Sequence, residues 1–551
     1  MYNEDDSCLV YRLIMPSHIK KELYKLGLYI LFMKRINDLQ YLKLGKFSAF
    51  MYDAFMFLLS IPGWIFGIIR KGLSLIKDGL VWIKDELADI AYTFKHGNKA
   101  VRRSFFIFGA GNRFYGQKMR ANLFLLFQLI FLGYMVLPNG GIHWLGKVQW
   151  FQVGNTIGTV QSQLVYNPIY DVYERMPGDD SVKVLLYALL TVVFIVAYVV
   201  TWRMQFKQCR ICMDIVASGK KIRSGKEDLQ SLLDDQFHKT LLTPSLVGIL
   251  VFTVLPTIYM TLIAFTSYDG AHDGYANLFG WVGLEHFNEI FDFGQGGLGN
   301  TFGEILSWTL MWSFFATFSN YFLGMFVAMA INKKGIKLKK FWRTVLVMTI
   351  AIPQFVSLLY VSKLFDASGI IGSFLKNANL LPEYLTNNHI YTLWGDPTTA
   401  KILLIVINIW IGIPYIMLMA TGILMNIPED LYESARIDGA SSVQQFTKIT
   451  LPYMLFVTGP YLLTSFVGNL NNFNVIYLLT GGNPIKGLAG GASVGHTDLL
   501  ITWLFKMTLG SSSSKYYYAS VIGILIFVVV AFLSLIVYNV IPSTKNEEDF
   551  G

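Results

Sequence analysis

Toward the carboxyl-terminal end, the run LFVTGPYLLTSFVGNLNNFNVIYLL places Ser465, Asn469, Asn471, Asn472 and Asn474 in otherwise apolar sequence. An amide left unpaired in hydrocarbon costs about 4–8 kcal/mol on an alkane scale, so these side chains must face other helices or water. Ser465, Asn469 and Asn472 are spaced i, i+4 and i+7, which puts them on one face of a helix. Neutral donors and acceptors with Phe466 and Phe473 nearby suit a neutral polyhydroxylated ligand. Amides and hydroxyls match its hydroxyls, and aromatic rings cover its C–H faces. The plainer alternative is hydrogen bonding between helices, worth about 0.6 kcal/mol per contact. The preceding apolar run, NIWIGIPYIMLMATGIL, carries Gly412, Pro414 and Tyr415. Pro414 removes a helix hydrogen bond and Gly412 permits close approach, so a bend or opening is expected there, with Tyr415 placed to line it. A proline kink with a packed tyrosine is the alternative.

Other chemistry is excluded by spacing. The eight histidines are scattered, and neither H-E-x-x-H nor G-x-S-x-G occurs, so the chain is not expected to be an enzyme. Gly141 to Lys147 nearly matches a P-loop, but Val148 stands where a magnesium-binding Ser or Thr is required. Gly294 to Gly299 matches G-x-G-x-x-G without a preceding strand. Both matches are taken as chance, and no nucleotide site is expected in this chain. Cys209 and Cys212 form a C-x-x-C with no second pair, which reads as thiols rather than a zinc site, and no metal is expected.

The elements that must position these residues follow from composition. Of 551 residues, 54% are hydrophobic and 15% charged, and the mean hydropathy is +0.46. That is too apolar for a protein with a water-facing surface. Runs of about 20 apolar residues suffice to cross a hydrocarbon core about 30 Å thick. The expectation is an all-α polytopic membrane protein with eight spans, at 120–137, 182–202, 243–266, 306–331, 344–364, 399–425, 452–479 and 517–541. The net charge of +9 is better explained by topology than by nucleic acid, because Lys and Arg concentrate in a few loops. Loop 203–242 carries Arg203, Lys207, Arg210, Lys220, Lys221, Arg223 and Lys226, and the loop after 331 carries Lys333, Lys334, Lys337, Lys339, Lys340 and Arg343. Loop 268–305 has neither Lys nor Arg. The basic loops and both termini are therefore expected on the cytoplasmic side. Residues 1–118 form a basic region in which 54–69, interrupted by Pro62-Gly63, suits an interfacial or re-entrant segment. Leu73, Ile76, Leu80, Ile83, Leu87 and Ile90 mark an amphipathic helix, lying on a membrane surface or against a partner helix, or else packed on the protein's own cytoplasmic face. Two accessory spans and a basic loop fill 119–240, a six-helix core 241–541, and a tail 542–551.

Between the sixth and seventh of these spans lies a polar segment, 427–452, whose part ESARIDGASSVQQFTKITLP has the spacing E-S-A-x3-G-x9-I-x-L-P. It resembles the "EAA" docking loop of binding-protein-dependent ABC importer permeases, with Ser434 where Ala is usual. PSLVGILVFTVLPTIYMTLIAFTSYDG, NIWIGIPYIMLMATGILMNIPEDLYESARIDGA and NNFNVIYLLTGGNPIKGLAGGASVGHTDLL further resemble the larger permease subunit of maltose-type importers, over roughly 240–541. The resemblance implies a type I ABC permease core in a bacterial cytoplasmic membrane, binding no cofactor itself. It implies a second homologous permease, two ATPase subunits that bind ATP and magnesium, an extracytoplasmic sugar-binding protein, and an oligosaccharide substrate. By motif position, Glu433, Ser434, Ala435, Asp438 and Gly439 would dock on the ATPase. The sugar site would map onto Gly412, Tyr415, Ser465, Asn469, Asn472 and Asn474, with Gly468 standing where an aromatic residue is common. A permease for another oligosaccharide, or a scaffold or sensor that keeps the docking loop, remains open on the sequence.

Overall fold

The computed structural model describes residues 77–222, 227, 230–231, 233–274, 277–333, 335–381, 385–386, 390, 392–509 and 514–540, with Arg70, Gly72 and Ser74. The 54–69 segment, the 542–551 tail, Leu73 and Ile76 lie outside the described residues. Eight helical stretches among the described residues are long and apolar enough to cross a membrane, and the fold is all-α with two short hairpins.

The labelled helices are α1 (Lys118–Val136), α2 (Ser181–Ala217), α3 (Phe237–Ile263), α4 (Gly299–Asn332), α5 (Lys339–Ala351), α6 (Gln354–Phe365), α7 (Pro397–Leu424), α8 (Glu429–Ile437), α9 (Ser442–Leu470), α10 (Phe473–Leu479), α11 (Leu500–Thr508) and α12 (Tyr516–Val540). Hairpin β1–β2 (Gln163–Asn167 and Val172–Met176) precedes α2, and hairpin β3–β4 (Ile485–Ala489 and Ala492–Gly495) precedes α11.

Two compact units are defined. One comprises Met1–Leu125 and Trp202–Gly225. Within it, residues 77–96 are helical, and their Glu86 and Asp89 pair with Arg203, while Asp89 also pairs with Arg210. These arginines lie on a helical continuation of α2, which runs 15 residues past the expected span end at 202 to Ala217. Leu80, Ile83 and Leu87 stay exposed. Cys209 and Cys212 are buried, the latter donating to Gln117 Oε1 at 3.4 Å.

The other unit comprises Leu126–Thr201 and Lys226–Gly551. Its centre is the contact of α4 with α7. Gly324 of α4 lies against Ile416, and Gly412 of α7 lies against Asn320, so each helix offers a glycine to a side chain of the other. Small residues let helix backbones approach where lipid supplies no hydrophobic drive to pack them. Polar rungs cross the same bundle: Asn320 Nδ2 donates to Asn408 O (3.3 Å), Asn332 Nδ2 to Thr421 Oγ1 (3.1 Å), and Tyr321 shares a hydrogen with Thr458 (2.8 Å). Helix α7 runs unbroken through Pro414, which is buried. The opening expected at Pro414 is therefore not formed. The glycine contacts of Gly324 and Gly412 bracket this turn and hold it against α4.

Two expected spans are instead interrupted elsewhere. The stretch 344–364 is not one helix: α5 stops at Ala351, Ile352 is extended (φ −82°, ψ 127°), and α6 restarts at Gln354. Pro353 lacks an N–H and pushes the residue before it out of the helical region. The stretch 452–479 is also divided. α9 ends at Leu470, and Asn472 (φ −77°, ψ 82°) caps α10 by accepting from Val475 N at 3.3 Å. Ser465, Asn469 and Asn472 therefore do not lie on one continuous helical face, because asparagine's short amide competes for backbone donors and favours caps over helix interiors.

Candidate functional site

The two interruptions meet. Gln354, the first residue of α6, and Ser465, Gly468, Asn469, Asn471, Asn472, Phe473 and Asn474, around the α9–α10 break, line one cleft of about 410 Å³. Discontinuous helices are where membrane proteins expose polar groups at depth, since irregular backbone is tolerated only beside protein or a watery cavity. None of the lining side chains is ionisable.

The inner amides are partly engaged. Asn469 Nδ2 donates to Thr317 Oγ1 of α4 at 2.9 Å, and Asn469 Oδ1 accepts from Asn472 Nδ2 at 3.1 Å. These bonds hold the break against α4, so Asn469 and Asn472 serve the architecture as well as lining the cleft. Each amide still has unused capacity, because a carboxamide carries two N–H donors and an oxygen with two lone pairs. Phe473 stacks on Tyr477 (4.8 Å between ring centroids) and meets Phe505 edge-on (4.6 Å), which fixes the wall of the cleft.

Four of the six sequence-expected ligand residues thus come together: Ser465, Asn469, Asn472 and Asn474. Tyr415 is connected less directly. It is 54% exposed, and its ring lies 6.0 Å from that of Tyr461, which is hydrogen-bonded to Ser465. Gly412 does not line the cleft; its α-carbon faces the Asn320 amide. Gln354, which lines the cleft, and Thr317, which braces Asn469, are contributors that the asparagine pattern did not reveal. A Pro-Gln pair inside an apolar run was the available signal for Gln354.

The sequence-expected docking residues form a separate structure on α8 and its turn. Glu429 and Asp430 occupy the first turn and Arg436 the last, which complements the helix dipole. Gly439 has φ +76°, its N–H donates to Arg436 O (3.0 Å), and Ala440 N–H donates to Ala435 O (2.8 Å). This paired pattern is the Schellman termination, which needs a left-handed residue after the cap. Ser441 then starts α9 with a capping box: Gln444 N donates to Ser441 Oγ (3.3 Å) and Ser441 N to Gln444 Oε1 (2.7 Å). Tyr432 and Thr450 share a hydrogen at 2.9 Å, tying α8 to the lower part of α9. No residue of α8 is buried, and Ile437 is 86% exposed.

No charged residue lines the cleft. Although burial raises it, Asp179 is held below the usual carboxylate range by Lys147 (2.6 Å) and the amides of Thr159 and Val160. Burial likewise opposes ionisation of Asp269, yet Lys515 (2.8 Å) and His272 outweigh it, and Asp269 in turn raises Lys515. Burial, with Lys401 and Lys486, keeps His496 below the ordinary histidine range.

A polytopic helical bundle with a neutral polar cleft at two helix breaks and an exposed, capped helix beyond it defines a membrane permease. Residues 320–545 match the family described as the binding-protein-dependent transport system inner membrane component. Among relatives, the maltodextrin transport system permease protein MalC of Streptococcus pneumoniae is 32% identical over 379 residues, 68% of this chain and 85% of that protein. The galactooligosaccharides transport system permease protein GanP of Bacillus subtilis is also 32% identical, over 69% of this chain and 88% of its own length. A solved bacterial ABC transporter involved in the import of the acidic polysaccharide alginate aligns with 57% of this chain and 99% of its own, at 22% identity and a TM-score of 0.44. The chain belongs to the family of binding-protein-dependent transport system inner membrane components, as a multi-pass permease.

Proposed function

We propose that this chain is the permease subunit of an ATP-driven importer of neutral oligosaccharides of the maltodextrin type. The observation that carries the reading is the cleft at the two helix breaks, lined by amides, a hydroxyl and an aromatic ring with no ionisable group. Such a lining recognises hydroxyls through paired donors and acceptors, while a charged sugar would be desolvated there without a counter-charge.

In this reading the α8 turn is the coupling element. Its side chains project from a helix with no buried residue, as a helix awaiting a protein partner does, and its far end continues through the capping box into α9. Helix α9 carries Ser465 and Asn469. Movement of a docked ATPase is thus transmitted along one helix to the substrate cleft. ATP and magnesium are held by two ATPase subunits, a second permease completes the pathway, and an extracytoplasmic binding protein delivers the sugar. The Lys- and Arg-rich loops put α8 and both termini on the cytoplasmic side.

Reconstitution with these partners in proteoliposomes tests the reading. ATP-dependent accumulation of maltodextrins is expected. A galacto-oligosaccharide substrate is the second reading, favoured by the equal identity to GanP, and uptake of that sugar alone would select it. ATPase activity that responds to loaded binding protein without accumulation of any oligosaccharide would make the chain a sensor or scaffold instead.

A further inference from the structure

We propose that Gln354 is a substrate-contacting, specificity-determining residue of this permease, an assignment that rests on the cleft being the sugar pathway. Gln354 stands in VLVMTIAIPQFVSLLYV, where a carboxamide facing lipid would be left without hydrogen bonds. The break at Pro353 resolves this by ending α5 and starting α6 at Gln354 itself, and the residue lines the same cleft as the asparagines.

Its hydrogen-bonding state sets it apart from the inner amides. Asn469 and Asn472 are engaged with Thr317, with each other and with the Val475 N–H. Among the described residues, by contrast, nothing hydrogen-bonds the Gln354 side chain. It comes from a different helix than the asparagines, so a sugar in the cleft is addressed by amides from both helix breaks. One carboxamide can donate to one hydroxyl of a vicinal pair and accept from the other. Asn469 and Asn472 hold the break together, and Gln354 supplies uncommitted capacity opposite them. Substitution here changes a side chain that is exposed in the cleft rather than packed.

The test uses the complete importer in proteoliposomes, with one binding protein delivering two maltodextrins of different length in competition. Since the binding protein is constant, a changed ratio between the two sugars arises in the permease. Gln354→Ala and Gln354→Leu are expected to lower the sugar moved per ATP hydrolysed by roughly 3- to 10-fold, the equivalent of one net hydrogen bond, and to change the uptake ratio. Gln354→Asn, which keeps an amide, is expected to recover part of both. A merely structural residue would not alter the ratio. Wild-type transport and ratio in the Ala and Leu variants, alongside impaired transport in Asn469→Ala, would remove Gln354 from the substrate path. Unimpaired transport in Asn469→Ala as well would instead overturn the reading of the cleft.

Discussion

Gly412→Ala separates a packing role for this glycine from a ligand role. An added methyl would stand 2.4 Å from Asn320 Nδ2 and 2.6 Å from its Cγ. Asn320 is not free to swing away, because its amide donates to Ala316 O (3.0 Å) and, between helices, to Asn408 O (3.3 Å). Overpacking costs about 1–3 kcal/mol, and the lost interhelical bond about 0.6 kcal/mol. Alanine's better helix propensity returns about 1 kcal/mol. The net expectation is about 0.6–2.6 kcal/mol against the folded permease. Thermal unfolding of the detergent-solubilised complex measures this, and the partner substitution Asn320→Ala sharpens it. Removing the Asn320 side chain makes room for the methyl, so the double variant should be more stable than the sum of the two single changes predicts, by about 0.5 kcal/mol or more. Strict additivity, or an unchanged unfolding temperature combined with reduced sugar uptake, refutes the packing argument and returns Gly412 to the ligand site.

Gly439→Asp forces a side chain into φ +76°, at a cost of about 1–2 kcal/mol, and is expected to uncouple transport while the complex still assembles. ATPase activity that responds fully to sugar-loaded binding protein would count against it. Asn469→Ala and Asn472→Ala are both expected to reduce oligosaccharide uptake. Only Asn472→Ala also removes the cap of α10, costing about 1 kcal/mol, whereas Asn472→Ser keeps a capping oxygen and should unfold near the wild-type temperature. Equal destabilisation by Ala and Ser would show that the cap is unimportant. The Asp269–Lys515 pair predicts two pH limits. The Asp269 carboxyl is lowered by folding, so its contribution is present above its unfolded value and disappears as pH falls through the folded one; Lys515 is raised, so its contribution is present below its unfolded value and disappears as pH rises through the folded one. Asp269→Asn should flatten the acid limb of a stability–pH profile and Lys515→Met the alkaline limb. Limbs that persist in both variants would assign them to other groups.

Much of the architecture is legible residue by residue because its causes are local. Apolar length alone sets which stretches can cross a membrane, and seven of the expected spans overlap such helical stretches among the described residues, while the fifth stretch runs Gln354–Asn377 instead of 344–364. The turn after α8 is likewise written in a few adjacent residues: Gly439 supplies the left-handed conformation, and Ser441 with Gln444 restarts the helix. Helical periodicity, by contrast, continues through residues that end helices. Pro353 and the Asn471–Asn472 pair fall inside the expected spans, although proline removes a donor and asparagine caps. Conversely, Pro414 suggested an opening that the α4 contact suppresses.

By itself, then, the sequence determined the membrane-spanning class, the capped turn after α8 and the cluster of Ser465 and the asparagines. Each follows from the composition of one stretch or the spacing of near neighbours. Only the tertiary structure decided that Gln354 joins that cluster across more than 100 residues, that Asn469 is braced by Thr317, and that Gly412 packs against Asn320. Those facts depend on which helix faces pack together. Packing is set by shape and by the pairing of buried polar groups along the whole bundle, and no local pattern encodes it.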